Sequence, residues 1–283
     1  MARKAGSGAP ASGYLLRPDA DDQSLTAPLR ALGRNGEKIE TRIIAEHPLR
    51  VSLNGQKIVT LMTIGDHPDL LAIGHLLNQG LLEANDTITD IAFDSGARQI
   101  DIRIPRDTTN ESRPDSFGGA AGTAYDDLLE ELEQTALDPD ATLRTSWLHT
   151  LQQVFNATPS LYETAGAIHG CVLCQQDTPL VYVEELGRHN AIDKVAGYMY
   201  LNKMRPEDKI LYSTGRLTHG MVIKSVKMGI PIMLSRSGFT SWGVEIARQF
   251  GLTLVGRVSG KRFIVVSGEN RVIDDFDEAL AAE

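Results

Sequence analysis

Between Lys209 and Val266 short apolar runs alternate with stretches of helical periodicity, and few folds accept that order. Lys209–Ser213, Ile230–Leu234 and Leu252–Val258 have strand length, and the segments near Thr218–Met228 and Thr240–Phe250 carry a helical repeat. A further helix is predicted near Asn190–Lys203, and Phe263–Val266 closes the series as a strand. Such an alternation buries a sheet between helices, so the expected fold class is α/β, with a three-layer α/β/α core.

Just upstream, residues 164–194 read TAGAIHGCVLCQQDTPLVYVEELGRHNAIDK. Two apolar runs, Ala165–Leu173 and Leu180–Val183, flank the turn-forming 175–179, giving strand, turn, strand, then helix. The span holds both cysteines of the chain, Cys171 and Cys174. Strand alternation puts His169 and Cys171 on one face and Cys174 on the other, so the pair is not placed to work as a dithiol. With no second cysteine pair, a structural zinc site is not expected, and no metal site is predicted. Two readings stay open: both thiols are small core residues, or Cys171 is a thiolate nucleophile with His169 as its base. In the Gly187–Asn190 turn, Arg188 and His189 stand beside the free N–H groups of a helix start, an anion-binding arrangement. Asp193, at i+4 from His189, is placed to orient the imidazole. A capped surface helix with an incidental ion pair explains the same residues.

The first half is expected to be a smaller α+β portion. Residues 1–38, poor in large apolar groups, read as a disordered tail. Thr41–Ile64 reads as a hairpin about Asn54–Gly55, followed by a helix from Pro68 and strands at Ile88–Phe93 and Gln99–Ile104. Pro105–Asp127 reads as a mobile connection, and Leu128–Ala136 and Ser146–Phe155 as helices. The expected divisions are 1–38, 39–110, 111–160 and 161–283. A net charge of −9 over 283 residues argues against a general nucleic-acid or membrane-surface binder. No apolar run approaches the ~20 residues of a membrane span, and two cysteines suit a reducing compartment, so a cytoplasmic protein is expected.

Basic and hydroxyl residues recur after the later strands: Ser213-Thr214-Gly215-Arg216, Ser235-Arg236-Ser237-Gly238, and the loop Arg257, Val258, Ser259, Gly260, Lys261, Arg262. In an open α/β sheet ligands collect where strands end and helices begin. Arginine pairs bidentately with phosphate and glycine lets the backbone approach, so a large anionic nucleotide-like ligand is expected there, with Lys194 and Lys224 as further positive charge. Neither a Walker A motif nor a Rossmann glycine fingerprint is present.

The segments EELGRHNAIDKVAGY from Glu184, STGRLTHGMVIKSVKMGIPIMLSRSGFTS from Ser213 and VEIARQFGLTLVGRVSGKRF from Val244 resemble the formate dehydrogenase accessory sulfurtransferases, the FdhD/NarQ family. IIAEHPLRVSLNG and GHLLNQGLL extend the resemblance into the first half. The resemblance implies a cytidine-deaminase-like core without the deaminase zinc, usually in a homodimer. It implies sulfur received from a cysteine desulfurase and passed to the molybdenum bis(molybdopterin guanine dinucleotide) cofactor, bound as cargo at the loop matched by Arg257–Arg262 and destined for the formate dehydrogenase catalytic subunit. GDP would be a partial mimic of that cargo. The family's persulfide-carrying cysteine pair aligns with Gly118 and Ala121, and a family glutamate with Gly220. An accessory protein that both binds and sulfurates the cofactor is therefore expected, the alternative being a cofactor-binding chaperone without persulfide chemistry.

Overall fold

The structure, a computed structural model, describes residues 14–108, 132, 135–260 and 262–275. Its larger sheet has the order β13-β12-β11-β10-β8-β9, formed by β8 (His169–Gln175), β9 (Thr178–Glu185), β10 (Lys209–Ser213), β11 (Ile232–Ser235), β12 (Thr253–Ser259) and β13 (Arg262–Ser267). Strands β10, β11 and β12 run parallel, whereas β8, β9 and β13 each run antiparallel to a neighbour. Side chains alternate between faces, and both faces are covered. Leu173, Val183, Leu211, Met233 and Leu254 pack under helices α4 (Arg188–Leu201), α5 (His219–Lys227) and α6 (Ser241–Gln249). Val172, Tyr182, Tyr212, Leu234 and Val255 pack against Leu148, Leu151 and Phe155 of α2 (Thr145–Ala157). Burial on both faces is why β10 and β11 read as unbroken apolar runs. The expected three-layer α/β/α core is present.

A second sheet, of order β4-β3-β6-β5, comprises β3 (His47–Leu53), β4 (Gln56–Thr63), β5 (Asp90–Asp94) and β6 (Gln99–Arg103). Asn54 and Gly55 both adopt positive φ (49° and 77°), as a two-residue hairpin turn requires. Helix α1 (Pro68–Asn78) covers this sheet through Leu71 and Leu76.

Helices α1 and α4 join the two sheets at backbone contact. A Cβ placed on Gly74 would lie 1.7 Å from the Asp193 carbonyl oxygen, and one on Gly197 would lie 2.1 Å from that of Leu70. Gly74→Ala gains about 1 kcal/mol of helix propensity, but the methyl meets rigid backbone and overpacking costs about 1–3 kcal/mol or more. The clash dominates. Urea unfolding of Gly74→Ala is expected to show a net loss of about 2 kcal/mol.

Several sequence expectations are corrected. Residues 14–38, assigned to a tail, include a 3-10 turn, Gln23–Leu25, and β1 (Thr26–Leu32), which pairs along its whole length with β2 (Lys38–Ile44). Leu15 N–H bonds the Leu180 carbonyl and Leu16 bridges Val181, covering the β9 edge. Backbone pairing orders this segment together with a few packed side chains, Leu25 being buried beside Ile64 and Leu161 and Tyr14 lying against the Tyr182 ring. Strand β8 starts at His169 rather than Ala165, because Ala165 ends α3 (Leu161–Ala165) and Gly166 and Ala167 take positive φ. It runs on to Gln175, leaving a turn of only Gln176 and Asp177. Helix α4 begins at Arg188, two residues before the expected Asn190. A two-residue strand β7 (Leu143–Arg144) pairs with β14 (Val272–Ile273). The mobile connection, the helix at Leu128–Ala136, Gly118, Ala121 and Lys261 lie wholly or largely outside the described residues. Among the described residues, no helix is long and apolar enough to cross a membrane.

Candidate functional site

The carboxyl ends of β10 and β11 and the start of the β12–β13 hairpin are joined into one rim by hydrogen bonds. Buried Ser213 Oγ accepts from Gly215 N–H (3.1 Å), and Thr214 Oγ1 accepts from Gly170 N–H (3.0 Å). Ser235 Oγ donates to the Gly215 carbonyl (2.7 Å) and accepts from Ser237 N–H (2.9 Å). Leu217 N–H reaches the Gly238 carbonyl, and Arg257 N–H the Ser237 carbonyl (2.8 Å). The serines thus build the turns. Ser235, expected as a ligand contact, is fully buried scaffold.

Onto this rim the fold brings Arg188, Arg216 and Arg236. Gly215 lies against Arg188, where an added Cβ would come within 2.8 Å of its side chain. The Arg236 guanidinium sits 5.9 Å from the Phe155 ring centroid and 5.8 Å from that of Tyr162. Burial lowers the His169 imidazole, and the charges of Arg188, Arg236 and Arg216 lower it further. All three arginines are therefore within electrostatic reach of one ring. Arg188 is lowered by burial and then by Arg216. His189 is held down to about 4, first by burial and then by Lys224 and Arg188, with Asp193 opposing, so its ring is neutral at pH 7. Among the described residues, two buried atoms here have no hydrogen-bond partner: Arg188 Nε and His189 Nδ1.

The backbone adds to the same field. Helix α4 starts at an N-cap glycine, Gly187, and α5 at Thr218, both without a side-chain cap; none of α4, α5 and α6 has an acidic residue in its first turn. No first-turn carboxylate therefore compensates the positive dipole ends of these three helices, and α4 and α5 keep their first N–H groups free of a side-chain cap. Clustered like charges with orphaned donors are costly unless an anion joins them. The residues present therefore fit a phosphate-bearing group. Beside the rim lies a cavity of about 100 Å³, lined by Phe155, Tyr162, Glu184, Thr214 and Arg236 among others.

Other expected contacts are engaged elsewhere. Asp193, 1% exposed, does not orient His189. Its carboxylate takes two 2.7 Å bonds from Lys224 Nζ and one of 2.7 Å from Asn78 Nδ2, with His75 Nδ1 at 3.6 Å. Lys224 is thereby removed from the ligand-facing set. Lys194, fully buried, pairs with Glu185 (2.7 Å) and Asp66 and donates to the Glu184 carbonyl. These networks bind α1 and the β4–α1 connection to β9, α4 and α5, which is why the charges face inward. In the 257–262 loop, Val258 is buried in the core beneath α2, and Gly260 N–H donates to Gln152 Oε1 (2.6 Å). Arg257, Ser259 and Arg262 remain exposed.

The thiols are placed in two different cores, Cys171 under α4–α6 and Cys174 beneath α2, at 0% and 1% exposure. The expected opposite-face geometry is present. Burial pushes both thiols up, the reverse of what a reactive thiolate needs. His169 Nδ1 lies 3.4 Å from Thr214 Oγ1, so its hydrogen bond runs to the rim. The reading of Cys171 as nucleophile and His169 as its base is not supported by this arrangement.

Sequence reasoning missed His219 and Trp242, and the Phe155–Tyr162 platform under Arg236. His219 was reachable, lying three residues after Arg216 at the start of the helix that follows the same strand end. Phe155 comes from α2, on the opposite face of the sheet, and Tyr162 from α3, and neither carries a local signal.

A model of the FdhD/NarQ family matches residues 44–273. The chain is similar to the sulfur carrier protein FdhD of Bacillus subtilis (strain 168), 26% identical over 246 residues, spanning 83% of this chain and 92% of that protein. It is similar also to the sulfur carrier protein FdhD of Nocardia farcinica (strain IFM 10152), 30% identical over 245 residues, spanning 81% and 88%. Among solved structures, one described as a formate dehydrogenase accessory protein from Desulfotalea psychrophila aligns with a TM-score of 0.71 at 25% identity, over 88% of this chain and 98% of that chain. Matched across both sheets and through the basic rim, the chain belongs to the FdhD/NarQ family.

Proposed function

We propose that this protein is a formate dehydrogenase accessory factor that holds the guanine-dinucleotide molybdenum cofactor as cargo, through its pyrophosphates, on the way to the enzyme's catalytic subunit. The observation that carries this reading is the convergence of Arg188, Arg216 and Arg236 on one rim, where Gly215 lies against Arg188 and, among the described residues, Arg188 Nε lacks a partner. The guanidinium groups bind phosphate oxygens bidentately. The uncapped starts of α4 and α5 add backbone donors, and neutral His189 offers a hydrogen bond without further like charge. Mass analysis of material copurified from a host making the cofactor tests the reading: the expected result is a guanine-bearing pterin in wild type and none in a rim triple-arginine variant.

The relatives are named sulfur carrier proteins, which favours a second reading, in which the protein also relays sulfur; the cofactor as recipient, a cysteine desulfurase as source and a homodimer as the working form are part of that proposal. Both thiols of the chain are buried, so the cargo-holding reading is the better supported of the two. Cys171→Ala/Cys174→Ala is expected to restore formate dehydrogenase activity fully in a strain lacking this protein. Lost rescue by a folded double variant would instead establish thiol chemistry.

A further inference from the structure

A large aromatic side chain stands beside the arginine rim with part of its surface open to solvent. Trp242 is 43% exposed, whereas the other tryptophan, Trp147, packs against the core beneath α2. Helix α6 turns Ile246 and Ala247 inward, and the position of its first turn is set by Gly243. A Cβ there would fall 2.9 Å from the Leu217 carbonyl oxygen and 3.3 Å from His219 N. Only a glycine lets α6 approach the β10–α5 connection this closely, and the approach brings the indole to the His219 imidazole. The ring centroids are 4.9 Å apart at 46°.

His219 itself is embedded in the basic site. Gly215, four residues before it, touches the Arg188 side chain, and Gly220, the next residue, lies against the His189 ring. Arg188 is also near enough to lower the His219 imidazole, after burial. The exposed indole thus adjoins the groups that grip phosphate. A purine attached to that phosphate needs an apolar, polarisable plane, which an indole supplies.

We infer that Trp242, held in place by its contact with His219, is the surface on which the purine base of the rim's nucleotide ligand stacks. The inference rests on the phosphate-binding reading of the rim and adds the part of the ligand that reading leaves open. It also explains the residue types: arginines for the diphosphate and a tryptophan for the base, with His219 against the indole. Stacking tolerates any base with a large π face, so the platform gives affinity for purines over bare phosphate rather than selection among purines.

The test uses the full chain with GDP and inorganic pyrophosphate as probes, titrated by calorimetry into wild type, Trp242→Ala and Trp242→Phe. GDP binding is expected to weaken about tenfold in Trp242→Ala and only about twofold in Trp242→Phe, while pyrophosphate binding stays unchanged in both. In a Trp147→Phe background, GDP is expected to quench the remaining indole emission and pyrophosphate to leave it unaltered. Unchanged GDP affinity in Trp242→Ala, with pyrophosphate still bound, overturns the stacking surface and leaves the phosphate site standing. Failure of wild type to bind either probe overturns the phosphate site and the platform together. Retained pyrophosphate binding shows that each variant is folded at the rim.

Discussion

Replacing Arg188, Arg216 and Arg236 together by glutamine is expected to weaken GDP binding by at least about 100-fold. A charge-assisted hydrogen bond contributes about 1.5–3 kcal/mol, and about 1.4 kcal/mol is tenfold in affinity. Arg216 and Arg236 are exposed, so solvent screening lowers their shares towards the bottom of that range. Half-buried Arg188, with its orphaned Nε, carries the largest single effect. Isothermal titration at two ionic strengths checks this. Wild-type affinity should fall with added salt, because the exposed arginines are screened over about 10 Å at 0.1 M. The triple variant should have lost most of that salt dependence. Stability should be unchanged or higher, since removing three mutually repelling charges relieves the field that lowers His169 and Arg188. A triple variant that binds GDP as wild type does would move the ligand away from the rim.

Lys224→Met is expected to lower the unfolding free energy by about 3–5 kcal/mol, because it leaves the buried Asp193 carboxylate with its main charge partner gone. In the wild type, burial by itself raises this carboxyl, but the Lys224 charge and the His75 contact more than offset it and hold it at about 2. The unfolded carboxyl titrates near 3.9. Folding therefore gains from the pair at any pH above about 4 and loses that gain as acid takes the pH from about 4 towards 2. Without Lys224 the balance reverses, since burial then raises Asp193 above its unfolded value. The folded state now binds the proton more tightly, so Lys224→Met should be most destabilised at neutral pH and recover as the pH falls. Urea denaturation across pH checks both signs. The double variant Asp193→Leu/Lys224→Met, which removes both charges, should regain much of the loss. The single variant should also disturb the rim, because Lys224 Nζ donates to the His189 carbonyl (3.4 Å).

Much of the architecture was legible locally. The β/α alternation of the second half fixes its layers because helices and strands differ in apolar period, and Lys209–Ser213 was located to the residue. Asn54–Gly55 marked its turn because those residues tolerate positive φ. Hairpin β1–β2 was not legible, since hydrogen bonding between backbones leaves little trace in side-chain pattern. Of the basic residues, the strand-end arginines were recognised as a group, whereas Lys194 and Lys224 were misjudged because nothing near them in sequence reveals their partners.

What the sequence determined by itself is therefore the order of the main strands and helices of the two larger sheets and the clustering of positive charge at the ends of strands, both properties of neighbours along the chain. Tertiary structure decided which charges face a ligand and which are consumed internally. Asn78 reaches Asp193 across 115 residues and Asp66 reaches Lys194 across 128. Tertiary structure also decided the fate of the thiols, since a strand enclosed on both faces buries Cys171 and Cys174 in separate cores whatever their spacing. The physical reason is the same in each case: hydrogen bonding and periodicity are set over a few residues, whereas burial, and with it the charge state and reactivity of a side chain, depends on what packs against it from afar.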